Sequence, residues 1–236
     1  MVDSYMFGWI AQKNNSLQNV IKNILLSISI SFCVICLNSC QNKFNNITNI
    51  NSGSGEQILV LGDSITAGYG LKPEEAYPYL LSQKIKLPIV NRGVSGDTTS
   101  DALARLSKDI LTAKPWLVII ALGGNDFLQK VPKTITEQNL KKIVTQVQAE
   151  NAIAVILGMN LGLFTDEYQH LYQRVAQETN SYLIPQILKG ILDNPKHRQQ
   201  DIIHPNQIGQ EILADKVAKS LSPLLKQAKI PVVLSP

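Results

Sequence analysis

Ile58-Leu-Val-Leu-Gly-Asp-Ser-Ile-Thr-Ala-Gly68 runs four branched aliphatic residues into a glycine and delivers a serine two positions later. Unbroken aliphatics bounded by turn residues suit a strand covered on both faces, so Ile58–Leu61 reads as a buried strand of a parallel sheet. Gly62 permits a sharp turn at the strand's end. Ser64 is then expected in the loop at the carboxyl edge, where open α/β proteins place their ligands. A plainer reading is open at this point: Asp63 and Ser64 cap whatever follows.

Outward from this stretch, strand-like runs recur at Pro88–Asn91, Trp116–Leu122, Ala152–Gly158 and Tyr182–Ile184. Helical periodicity fills the gaps at Glu75–Ile85, Thr99–Thr112, Thr136–Glu150, Asp166–Thr179 and Pro205–Lys226. Ala102, Leu103, Leu106 and Ile110, for example, fall on one helical face. Pro78 falls in a first turn, where its missing N–H costs little. This alternation predicts a single three-layer α/β/α domain around a five-stranded parallel sheet of flavodoxin-like order, 2-1-3-4-5. Residues 56–226 contain no internal repeat and no Pro/Gly-rich break that would divide them.

Three more polar clusters follow strands or precede the last helix: Asn91-Arg-Gly-Val-Ser-Gly-Asp-Thr-Thr99, Gly123-Gly-Asn-Asp126 and Asp201-Ile-Ile-His-Pro-Asn206. In a parallel sheet the loops leaving the strands share one edge, so all four clusters converge. A serine hydroxyl needs a base within hydrogen-bond reach and a third group to orient that base. His204 can be the base, and Asp201, three residues earlier, the orienter. Pro205 biases His204 towards extended backbone and can begin the next helix. Acyl transfer also needs donors for a developing oxyanion, and Ser64 N–H, Gly96 N–H and the Asn125 amide can supply them. Ordinary turn geometry explains the glycines equally well, and an Asx turn explains Asn125.

Gly62-Asp-Ser64, Gly96 within Ser-Gly-Asp-Thr, Gly123-Gly-Asn-Asp126 and Asp201-x-x-His204 resemble, in order and spacing, the four blocks of the SGNH (GDSL) hydrolases. The likeness spans roughly residues 57–222 and is nearest the bacterial lysophospholipase, thioesterase and arylesterase branch, through Ala67-Gly-Tyr69 and residues 91–98. The resemblance implies a serine esterase with Ser64 as nucleophile, Asp201 and His204 completing the triad, and Ser64, Gly96 and Asn125 forming the oxyanion hole. Two departures stand out. Ile202 occupies a place where that branch commonly has glycine, and residues 159–165 do not match its acyl-chain loop. Phe127, Leu128, Leu161, Leu163 and Phe164 fall in loops flanking the expected site, with Leu163 and Phe164 the candidate substrate-binding pair; core packing is the alternative fate of such residues.

The three histidines, His170, His197 and His204, show no zinc spacing, so no metal or other cofactor is expected. Asp63 and Asp126 are expected to bond backbone amides, His170 to sit exposed on a helix and His197 in a loop. At 236 residues, 44% apolar, 17% charged and formally +4, the chain is of ordinary globular composition. It has no basic stripe with interleaved aromatics, which argues against a nucleic-acid partner.

The first fifty residues differ, being rich in Asn, Ser and Ile. Lys13 and Lys22 precede an uncharged apolar run, Ile24–Leu37, of 14 residues. A bilayer span needs about 20, whereas a signal-peptide core needs about 7 to 15. Leu37-Asn-Ser-Cys40 then resembles a bacterial lipobox, implying lipidation at Cys40. The expected organisation is a signal peptide over 1–39, a flexible tether over 40–55, the hydrolase domain over 56–226 and a loose tail over 227–236. Cys33, Cys36 and Cys40 are the only cysteines, so the exported domain would hold no disulfide. The expectation is thus an exported, membrane-anchored esterase acting on small ester or lipid substrates, including thioesters or lysophospholipids. A carbohydrate O-acetylesterase or acyltransferase is the alternative, and an inactive surface-binding lipoprotein the third reading.

Overall fold

β1 (Gln57–Gly62) is buried from Ile58 onwards and pairs in parallel on both sides, with β2 (Ile89–Gly93) and β3 (Pro115–Ala121). The structure, a computed structural model, describes residues 44–159 and 166–234. Before β2, the chain forms α1 (Ser64–Ala67) and α2 (Tyr77–Ile85); α3 (Thr99–Asp109) leads to β3. Next come α4 (Gly124–Leu128), α5 (Lys133–Ala149), β4 (Ile153–Leu157), α6 (Asp166–Thr179), β5 (Tyr182–Ile184) and α7 (Gln207–Gln227). The sheet order is β2-β1-β3-β4-β5, all parallel, which is the order expected from the sequence.

β3 and β4 are buried along their whole length, because helices cover both sheet faces. α2 and α7 pack together on one side, while α3, α5 and α6 pack in a second group. Each fully buried aliphatic side chain in this sheet stabilises the fold by roughly 1.5–3 kcal/mol. Ala102 and Leu106 of α3 and Ile110 at its C-cap are fully buried, while Leu103, expected on the same face, is half-buried.

Several boundaries move. α3 stops at Asp109 and a 3-10 turn over Leu111–Ala113 follows, so the helix expected to Thr112 ends a turn early. α7 starts at Gln207, with the Asn206 side chain accepting from Gly209 N at 3.0 Å; Asn206, not Pro205, caps it. The stretch expected to be a flexible tether is packed domain from Ile47 onwards. Ile50 is buried, Asn49 Nδ2 donates to Gln148 O and Ala152 O, and Lys229 N donates to Ile50 O at 3.0 Å. An asparagine that answers two interior carbonyls, and an isoleucine that finds a buried seat, hold a segment whose composition alone reads as linker. The tail is likewise not loose throughout, since Leu234 ends buried on a 3-10 turn. The signal peptide, Cys40, Leu161, Leu163 and Phe164 lie outside the described residues. Among the described residues no helix is long and apolar enough to cross a membrane.

Candidate active site

Gly62, Gly93 and Ala121 stand side by side at the carboxyl ends of β1, β2 and β3. This register delivers Ser64, Gly96 and Asn125 to one edge. Ser64 is not in the loop but is the first residue of α1, whose N-cap is Asp63, with Oδ1 accepting from Ile65 N at 3.0 Å. Asp63 therefore caps the helix, as the plainer reading had it, and Ser64 starts that helix at the sheet's carboxyl edge. α1 folds back so tightly over β1 that a Cβ on Gly62 would strike the Thr66 side chain, which only glycine avoids.

His204 arrives from 140 residues away, and its Nε2 lies 2.8 Å from Ser64 Oγ. Its Nδ1 lies 2.6 Å from Asp201 Oδ2, while Asp201 Oδ1 accepts from Ile203 N at 3.1 Å and His204 N at 3.0 Å. The Asp-x-x-His spacing works through this Asx-type turn: one carboxylate oxygen holds the backbone and the other meets the ring. Burial works to raise the Asp201 carboxyl, but the His204 ring and the two backbone amides outweigh it and hold it below the ordinary carboxylate range. An ionised carboxylate only accepts, so Nδ1 donates and the Nε2 lone pair faces the serine hydroxyl. Ile202, inside the turn, sits at φ +64° and is 53% exposed. A left-handed backbone suits glycine, the residue that the resemblance led one to expect at this position.

Asn125 Nδ2 donates to Asp97 O at 2.9 Å, tying it to the residue after Gly96. An amide nitrogen carries two hydrogens, so one donor is left over. Gly96 is exposed at φ +90°, with open space where a side chain would stand. Ser64, as the first helical residue, has an N–H with no intrahelical partner. Asp126 is buried and accepts from Thr99 N at 2.8 Å, Thr99 Oγ1 at 2.5 Å and Thr136 Oγ1 at 3.1 Å, which locks α4 against α3 and α5. Asp63 and Asp126 thus both bond backbone amides, and Asp126 two hydroxyls besides. Asp63 is buried, and that burial, with repulsion from Asp97 and Asp126, pushes its carboxyl up to about 7 against the pull of its backbone hydrogen bonds.

Outside the triad, His170 is exposed on α6. His197 lies in a 3-10 turn, its ring engaged with Gly190 O and Asn194. Phe127 packs edge-on against Tyr168, and Leu128 is exposed. Among the described residues no three His, Cys, Asp or Glu side chains form a metal cluster.

Sequence reasoning missed four supporting residues. Arg105 donates to Asp97 Oδ2 at 2.7 Å, Gly62 O at 3.3 Å and Arg92 O at 3.0 Å, stitching the ends of β1 and β2 to the Gly96 loop. Gln210, 1% exposed, accepts from Tyr77 N at 2.9 Å and donates to Ile65 O at 3.0 Å, joining α7 to the helix that carries Ser64. Gln199 Nε2 donates to Tyr69 O at 2.7 Å and Pro205 O at 3.2 Å, and its N–H donates to His204 O at 2.8 Å. Tyr69 lays its ring beside that of His204. The one available signal was polar identity next to a block, which does not name a partner.

A three-layer α/β/α domain that brings serine, imidazole and carboxylate into a hydrogen-bonded line at its carboxyl edge has the anatomy of a serine hydrolase acting on acyl groups. The model of the GDSL-like lipase/acylhydrolase family matches residues 60–212. The chain is 34% identical over 181 residues to the thioesterase 1/protease 1/lysophospholipase L1 of Escherichia coli strain K12, covering 74% of this chain and 87% of that relative. It is 32% identical over 180 residues to an arylesterase of Vibrio mimicus, covering 72% and 90%. A crystal structure of TesA resembles it with a TM-score of 0.67 at 32% identity, over 71% of this chain and 99% of the other. The chain belongs to the GDSL-like lipase/acylhydrolase family, and it is a serine hydrolase that acts on ester bonds.

Proposed function

We propose that Ser64 is the nucleophile of an esterase or thioesterase that works through an acyl-enzyme, with His204 as general base then acid and Asp201 as its orienter. The observation that carries this reading is the unbroken line Asp201 Oδ2, His204 Nδ1, His204 Nε2, Ser64 Oγ, at 2.6 and 2.8 Å. Ser64 Oγ bonds the acyl carbon as its proton passes to Nε2. The carbonyl oxygen takes up negative charge, with Asn125 Nδ2 and the N–H groups of Gly96 and Ser64 as its donors. Collapse breaks the bond to the leaving oxygen or sulfur, which departs with the bonding pair and receives the proton from Nε2. Water then enters, His204 removes its proton, and the acyl group leaves as the acid while Ser64 regains its hydrogen.

The relatives named thioesterase, lysophospholipase and arylesterase support carboxylic esters and thioesters of small acyl groups or lysolipids as substrates. The test is labelling with a serine-directed fluorophosphonate beside hydrolysis of a graded ester and thioester panel. Wild type is expected to label and turn over, and Ser64→Ala to do neither. Equal labelling of both proteins would overturn the assignment.

A further inference from the structure

Tyr69 is an aromatic residue held beside the Ser64–His204 pair. Its N–H donates to Ser64 O at 3.0 Å and its carbonyl accepts from Gln199 Nε2 at 2.7 Å, so the helix that carries Ser64 and the segment that precedes Asp201 both fix its backbone. The ring centroid stands 4.7 Å from that of His204, the planes tilted by 32°. Even so, 52% of Tyr69 is exposed. One part of the ring supports the imidazole while the rest forms an open aromatic surface beside it.

Acyl-enzyme chemistry gives that surface a neighbour. The leaving oxygen must take its proton from His204 Nε2, so it lies within hydrogen-bond reach of that atom when the bond to the acyl carbon breaks. The first atoms of the leaving group are therefore beside the imidazole and the ring packed on it. Aromatic rings prefer offset or tilted partners at such distances, and a tyrosine already held by its backbone loses little freedom on binding.

We propose that Tyr69 is a specificity-determining residue: its exposed ring face is the platform on which an aromatic or other planar leaving group stacks. This inference rests on the esterase reading above. The acyl side of the substrate is not involved, so the preference resides in the alcohol.

Benzyl butyrate and cyclohexylmethyl butyrate test it, since their alcohols are close in size and acidity and differ in aromaticity. With the full-length protein, the kcat/KM ratio of benzyl to cyclohexylmethyl ester is expected to exceed one by about two- to twelvefold, the range that an aromatic pair contributes beyond area. Tyr69→Phe keeps the ratio, whereas Tyr69→Leu brings it to about one even as both rates fall. Fluorophosphonate labelling of each variant confirms an assembled triad. A wild-type ratio near one, or a ratio that Tyr69→Leu leaves unchanged, overturns the platform while leaving the esterase reading intact. Failure of wild type to cleave either ester or to label at Ser64 overturns the esterase reading instead.

Discussion

Replacing Asp63 by asparagine should change how stability depends on pH more than it changes stability at low pH. Asp63 is 2% exposed, and burial lifts its carboxyl from 3.8 to about 7. A group that holds its proton more tightly folded than unfolded stabilises the fold fully below its unfolded value. That contribution is withdrawn as pH rises through the folded value, here between about 4 and about 7. At about 1.36 kcal/mol per pH unit, the distance from 3.8 to 7 is worth about 4 kcal/mol, a large part of a typical domain's stability of roughly 5–15 kcal/mol. Asparagine caps as well as aspartate, so the bond from Ile65 N survives and the titration does not. Urea unfolding followed by circular dichroism, at about pH 4 and about pH 8, is the assay. The variant is expected to match wild type within about 1 kcal/mol at the lower pH, and to exceed it by about 3 to 4 kcal/mol at the higher. Stability curves that run parallel from pH 4 to 8 would refute the reasoning, because Asp63 would then not be the group that titrates.

Asn125→Ala removes the donor proposed for the oxyanion, and kcat should fall by about 100- to 1000-fold with KM little altered; steady-state kinetics on a butyrate ester check this, and a fall in affinity alone would reassign Asn125 to binding. Ile202→Gly relieves a β-branched residue at φ +64°. The left-handed position costs roughly 1–2 kcal/mol and glycine's added chain freedom offsets roughly 0.5–1 of the relief, so a gain of roughly 0 to 1.5 kcal/mol is expected. A lower urea midpoint would show that this exposed side chain packs in a way its 53% exposure does not suggest.

Much of the fold was legible because its signals are local. Four consecutive aliphatics mark β1 whatever they pack against, and Ala102 and Leu106, with Ile110 at the C-cap, mark the buried face of α3 by spacing. The sheet order followed from strand and helix alternation, and the four polar blocks could be assigned to one edge before any distance was known. Composition misled where single contacts outrank it. Asn49 and Ile50 sit in a stretch that reads as linker, and they are held by the Gln148 and Ala152 carbonyls and the Lys229 N–H, roughly a hundred or more residues away in sequence.

The sequence by itself determined the architecture and singled out Ser64, Asn125, Asp201 and His204 as candidate site residues. Only the tertiary structure decided that Gln199 would find Tyr69 O across 130 residues and Gln210 would find Ile65 O across 145. Distance in space likewise decided that Asp63 would be buried near two other carboxylates, and that Tyr69 would face the imidazole. Hydrophobic periodicity repeats within a few residues and is written along the chain. A hydrogen-bond partner or a desolvated charge depends on which groups meet once the sheet has closed, and no spacing in the sequence records that meeting.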